Sequence, residues 1–156
     1  MKKIFTILML LSLLSSPAFP AGLKLLSLQE KIAMSDLIVS VEVINTYKQE
    51  NDPLGLWHAE CKITELFAGD IYDESIDVRF KKIRRKRAPI KLATGKEYIL
   101  FLKNMGDSYD LVHLFQGAYI KYRSYTVYDE ELSESSRGTK MDHNEIVERI
   151  RTILER

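Results

Sequence analysis

The stretch LATGKEYILFL, residues 92–102, decides how this chain folds. Thr94-Gly95 has the chemistry of a turn, and Tyr98-Ile99-Leu100-Phe101-Leu102 after it is apolar at every position. Successive side chains of a strand point to opposite faces, so an unbroken apolar run predicts a strand covered on both sides. A central strand or a barrel stave meets that condition. The neighbouring segments read differently, because each is apolar on one face only. Leu37, Val39, Val41 and Val43 alternate with Ser40 and Glu42. From 57 to 63, Trp57, Ala59, Cys61 and Ile63 share one face, while His58, Glu60 and Lys62 share the other, and this strand is predicted to run to Phe67. Ile76, Val78 and Phe80 alternate with Asp77 and Arg79. Residues 109–115 alternate again, and 118–128 read as a tyrosine-rich strand or hairpin. Turn chemistry separates these runs at Asn51–Gly55, Ala68-Gly69-Asp70 and Asn104–Ser108.

A helix is expected at each end of this β region. Ser27 and Glu30 have capping-box spacing ahead of Leu28 and Ile32, and the helix should stop near Ser35-Asp36. A second helix starts at Asp142, with Glu145 three residues on and Ile146, Ile150, Ile153 and Leu154 as its apolar stripe. Glu145 and Arg149 are spaced for an i,i+4 ion pair. Residues 129–141, polar and acidic at the start, read as a loop. The fold class is mainly β with added α: a five- to six-stranded antiparallel barrel, closed or partly closed, or a sandwich. Closure is favoured because open apolar edges invite pairing with other chains.

The N-terminus has the layout of a secretory signal peptide. Lys2 and Lys3 precede a nearly unbroken apolar run from Ile4 to Leu14, and cleavage is expected after Ala18 or Ala21. The run is too short to span a bilayer of about 30 Å. The expected division is a leader at 1–21 and one domain at 22–156, in the periplasm or outside the cell. Removing 1–21 takes two lysines and no acid from 23 basic and 22 acidic residues, leaving 21 against 22 and a net charge of −1. Affinity for polyanions must then come from a local patch. Cys61 is the only cysteine, so no intramolecular disulfide staples the domain, and its place on an apolar face marks it as a small core residue.

Three blocks carry a resemblance: SDLIVSVEV at 35–43, CKITELFAGD at 61–70 followed by IDVRF, and LATGKEYILFL at 92–102. Together they resemble the OB-type barrel of netrin-like and TIMP-like (NTR) modules and of small exported bacterial proteins similar to them, over roughly residues 28–103. The resemblance implies a fold. TIMP-type inhibition needs a cysteine at the mature N-terminus, which this chain lacks, so protease inhibition through a zinc-chelating amine does not carry over.

Catalytic motifs are missing from the sequence. His58, His113 and His143 have no second histidine or cysteine at ligand spacing, and no P-loop, G-x-S-x-G or G-x-G-x-x-G occurs. No metal or cofactor is expected. His113 alternates with Leu111 and Phe115 and is expected to point inward. The carboxylate pairs Asp73-Glu74 and Glu130-Glu131 fall in turn-like segments. Tyr119, Tyr122, Tyr125 and Tyr128 recur every third residue and suit cross-strand ring packing better than an exposed stacking strip.

The strongest charge feature is the run Lys81, Lys82, Arg84, Arg85, Lys86, Arg87. It is a candidate site for an acidic protein, an acidic glycan or lipid headgroups; nucleic acid is not expected as a partner of an exported chain. Near an anionic surface each Lys or Arg contributes about 1 kcal/mol. The competing reading sets Asp129, Glu130, Glu131 and Glu134 beside the run, neutralising it through exposed pairs of about 0–1 kcal/mol each. The expected function is a non-enzymatic binding module. Two alternatives are a small envelope hydrolase built on the barrel, favoured by a pocket around an inward His113, and an inhibitor or accessory subunit.

Overall fold

A computed structural model describes residues 26–82, 91–113, 116–121, 124–127 and 139–156. The expected leader, residues Arg84, Arg85, Lys86 and Arg87 of the basic run, and the acidic stretch 129–134 lie outside them.

The chain opens with helix α1 (Leu28–Met34), where the Ser27 hydroxyl accepts from the Glu30 N–H and the Glu30 carboxylate accepts from the Ser27 N–H. Eight strands follow: β1 (Leu37–Lys48), β2 (Trp57–Ala68), β3 (Ser75–Phe80), β4 (Glu97–Asn104), β5 (Tyr109–Leu111), β6 (Ala118–Lys121), β7 (Tyr125–Val127) and β8 (Thr139–Met141). Helix α2 (His143–Leu154) ends the chain, and its Asp142 cap accepts from the Glu145 N–H. Both caps stand where their side chains predict, because each satisfies an otherwise orphaned N–H of the first turn.

The strands close on themselves in the order β1-β2-β3-β5-β4, with β4 paired back to β1. This is a five-stave OB-like barrel. All its contacts are antiparallel except β3–β5, which is parallel through Val78↔Tyr109 and Arg79↔Asp110. The fifth stave is broken. β5 pairs with Leu102–Asn104 of β4, Val112 and Gly117 on either side of an excursion both bond to Phe101 of β4, and β6 pairs with Glu97–Leu100. The excursion is tight, since the Gly117 N–H donates to the His113 carbonyl at 2.8 Å. A Cβ on Gly117 would lie 2.8 Å from that same oxygen. β6, β7 and β8 carry the sheet past the barrel.

The apolar side chains sort into two cores divided by the sheet. Val39, Val41, Val43, Ala59, Cys61, Val78, Tyr98, Leu100 and Leu102 fill the barrel interior. Ile38, Ile99, Phe101 and Tyr119 face outward beneath Leu28 of α1 and Ile146 and Ile150 of α2. β4 therefore contributes to both cores, which is why it is apolar at every position from Tyr98 to Leu102. The outer core also holds a charge: Lys31 is fully buried, its Nζ 3.0 Å from the Tyr119 hydroxyl and 4.8 Å from the centre of that ring.

Several expectations are corrected in detail. β1 extends five residues beyond Val43, because Asn45 to Lys48 pair along β2 after a register shift at Val43/Asn45. His113 does not point into the barrel: the strand stops at Leu111 and His113 lies in the excursion, half-buried. Leu154 does not complete the stripe of α2 and is exposed, whereas Ile146 and Ile150 are buried. Residues 139–141, read as the end of a loop, pair with β7 as β8. Tyr119 is packed edge-on against Phe101, as cross-strand packing requires. Tyr122 and Tyr128 lie outside the described residues, and Tyr125 is placed as part of β7.

Gly69, after β2, has φ +94°, and a Cβ there would sit 2.4 Å from the Asp36 carbonyl oxygen. Gly55 also has positive φ but nothing within 4 Å. Gly69→Ala is expected to cost about 2 kcal/mol or more in denaturant unfolding, against about 1 kcal/mol for Gly55→Ala. Equal costs would mean that the approach of the two loops does not constrain the barrel end.

Candidate functional site

The two ends of the β1–β2–β3 wall differ in their side chains. At one end, Lys48 of β1 lies opposite Trp57 of β2, which lies opposite Phe80 of β3. Trp57 and Phe80 face inward, so the indole sits half-buried at the barrel mouth against the interior core. The chain leaves β3 as Lys81-Lys82, and the Lys82 ammonium lies 3.5 Å from the centre of the Trp57 ring. A cation over an indole face is held by the ring quadrupole, with about 0.5–1 kcal/mol where the site is exposed. Lys48, Lys81 and Lys82 are exposed around this mouth. Leu92, at 1% exposure, belongs to the same interior core. The candidate binding residues that fall within the described chain, Lys81 and Lys82, thus belong to one aromatic-basic rim.

At the other end the loops 69–74 and 105–108 enclose an open cavity of about 350 Å³. Asp70, Asp73, Asp77 and Asp107 line it with Tyr109 and Tyr72, whose ring is 99% exposed. Among the described residues no group of three or more His, Cys, Asp or Glu side chains is arranged to hold a metal ion.

Between the two ends, on the outer face, a polar row crosses four strands in register. Tyr47 is opposite His58, His58 opposite Arg79, and Arg79 opposite Asp110. Arg79 donates both Nε and Nη2 to Asp110 at 2.8 Å, a bidentate pair that raises the guanidinium pKa. Tyr47 stacks on the His58 ring, centroids 5.3 Å apart, and its hydroxyl donates to Asp77 Oδ1 at 3.0 Å. Burial, together with the Asp77 carboxylate, pushes the Tyr47 hydroxyl up from its ordinary range. His58 Nδ1 lies 2.6 Å from Asp77 Oδ2, and because a carboxylate only accepts, Nδ1 carries the proton of that bond. Nε2 faces Asp52 Oδ2 at 3.7 Å from the β1–β2 loop. The ring is oriented as in a general base, yet Nε2 is closed to solvent and meets no nucleophile. Reading along the sequence misses this row, since its four members are placed by register across long loops. Its signal was the outward phase of each strand, with His58 opposite in phase to Trp57 and Cys61.

The remaining histidines are peripheral. Burial lowers the pKa of His113, with the Lys31 charge adding to the effect. His143 Nε2 lies 3.4 Å from Glu65 Oε2, and Arg151 approaches the same carboxylate.

In comparisons with known proteins, no family model matches the chain and no curated protein matches it at a significant level. Among the described residues, no helix is long and apolar enough to cross a membrane.

Cys61 is fully buried in the barrel, and burial first, then the charges of Asp77 and Glu60, push its thiol up to about 12. At pH 8 only about one part in ten thousand is then thiolate. A thiol reagent should leave the native protein unlabelled and modify it fully in denaturant. Labelling of the folded protein at the rate of a free thiol would contradict the filled interior.

Proposed function

We propose that the chain is an exported, NTR-like barrel module that acts without catalysis and binds an acidic partner through the basic end of the barrel. The observation that carries this reading is the rim around Trp57. The side chains there are an indole capped by the Lys82 ammonium, with Lys48 and Lys81 exposed beside it. In the sequence, Arg84, Arg85, Lys86 and Arg87 follow Lys82 after Ile83. Charge in this chain is nearly balanced, so a polyanion is attracted only where like charges are grouped. A rim of lysines around an aromatic face suits an extended anion of sulfates, phosphates or carboxylates, which can contact several cations at once. The filled interior and the closed-off His58 Nε2 weigh against the hydrolase alternative, because neither leaves a reacting atom accessible.

The mature protein, titrated with heparin and separately with lipopolysaccharide, should bind with affinity that falls steeply as salt is raised. Replacing Arg84, Arg85, Lys86 and Arg87 by serine should weaken binding by up to about a thousandfold, given roughly 1 kcal/mol per cation. Lys82→Ala should weaken it less. Preference for heparin points to an acidic glycan, preference for lipopolysaccharide to headgroup phosphates. Binding of neither, or binding unchanged by the four serines, would overturn the proposal.

A further inference from the structure

His58 is only 6% exposed, and its Nε2 is the one buried side-chain nitrogen or oxygen among the described residues without a hydrogen bond. What it faces is informative. Asp52 organises the whole loop between β1 and β2: its carboxylate accepts the Leu54 N–H at 2.8 Å and the Leu56 N–H at 3.2 Å. Its carbonyl accepts the Gly55 N–H at 3.0 Å. The same carboxylate is the loop's approach to the barrel wall, 3.7 Å from His58 Nε2. The opposite side of the ring is fixed by Asp77, which also holds the Tyr47 hydroxyl.

With one proton, on Nδ1, the ring presents a bare lone pair to a carboxylate oxygen. Two acceptors then face each other in a site closed to water, which is unfavourable. A proton on Nε2 turns the same geometry into a donor–acceptor pair of opposite charge. We propose that the loop at 49–56 is a proton-operated clasp: with both nitrogens protonated, His58 bridges Asp77 on the barrel and Asp52 on the loop, and loss of the Nε2 proton to solvent releases the loop.

The surrounding charges suit that role. Facing the ring are Tyr47 from β1, Glu60 from β2, Asp77 and Arg79 from β3, and Asp52 from the loop; Asp110 of β5 lies behind Arg79 and occupies its guanidinium. Asp52 is held below the usual carboxylate range, first by the Leu54 N–H, with the Leu56 N–H and His58 adding to the effect, so it stays anionic where imidazole is charged. The geometry sets the direction: the clasp is closed while Nε2 carries a proton and open when it does not. Histidine is the side chain whose ordinary titration falls between pH 5 and 8. The loop joins Lys48 to Trp57, so under the function proposed above, an open clasp alters access to the basic rim; the clasp itself does not depend on that function.

Amide hydrogen exchange on the full mature protein reads the clasp directly. The Leu54 and Leu56 N–H groups report loop closure, and the Val41 N–H in the ladder reports that the barrel stays folded. After correction for intrinsic rates, protection at Leu54 and Leu56 should drop about fivefold between about pH 5 and pH 8, while Val41 is unchanged. That drop should vanish in His58→Gln and in Asp52→Asn. A flat wild-type profile overturns the proposal without any variant. So does a pH dependence that persists in His58→Gln, because a group other than His58 would then be responsible.

Discussion

The structure depends on the pairing of β1 with β4. β1 is hydrogen-bonded to β2 on one side, from Ile38↔Ala68 onward, and to β4 on the other, from Leu37↔Leu102 to Glu42↔Glu97. That second ladder removes the last open edge of the wall. It also turns a sheet with one apolar face into a container with a sealed interior. Without it, Val39, Val41 and Val43 would have no opposite wall. With it they are fully excluded from water. An apolar side chain of that size contributes about 1.5–3 kcal/mol when fully buried, and a chain with one cysteine depends on such burial. The outer core follows from the same pairing. It fixes Ile38 beside Ile99 and Phe101 and so makes the platform on which α1 and α2 lie.

Most of the barrel is legible in the sequence because its staves obey period two and its helices carry their own caps. Trp57, Ala59 and Cys61 face inward as their alternation says, and the unbroken apolar run from Tyr98 to Leu102 is the stave shared by two cores. The missed features arise where tertiary geometry decides. β3 and β5 pair in parallel, an arrangement that local pattern cannot reveal. The fifth stave is interrupted between β5 and β6, so alternation at 109–115 misplaces His113 inside. β1 outlasts its apolar pattern because Asn45 to Lys48 are held by the β2 ladder, with no need of burial. Buried Lys31 defeats the rule that charges stay outside, since Tyr119 supplies both a hydroxyl and a ring face.

The candidate sites divide the same way. A run of cations is visible in any linear reading, and Lys81 and Lys82 were marked by it. The partnership that gives Lys82 a position, its stacking on Trp57, requires the β2–β3 register. The Tyr47–His58–Arg79–Asp110 row is harder still, as it needs three registers at once. The result is a wall with an aromatic rim and lysines at one end, a cavity lined by aspartates at the other, and a polar row that is hydrogen-bonded except at His58 Nε2. The row holds the strands in register, and the ends are where another molecule can dock.

The most direct test of closure is amide exchange along β1. In a strand paired on both sides, consecutive N–H groups all donate to a neighbour, so the amides from Leu37 to Val43 should be protected without alternation and should open only with global unfolding. If every second amide in that segment exchanged quickly, β1 would be an edge and the barrel would be open.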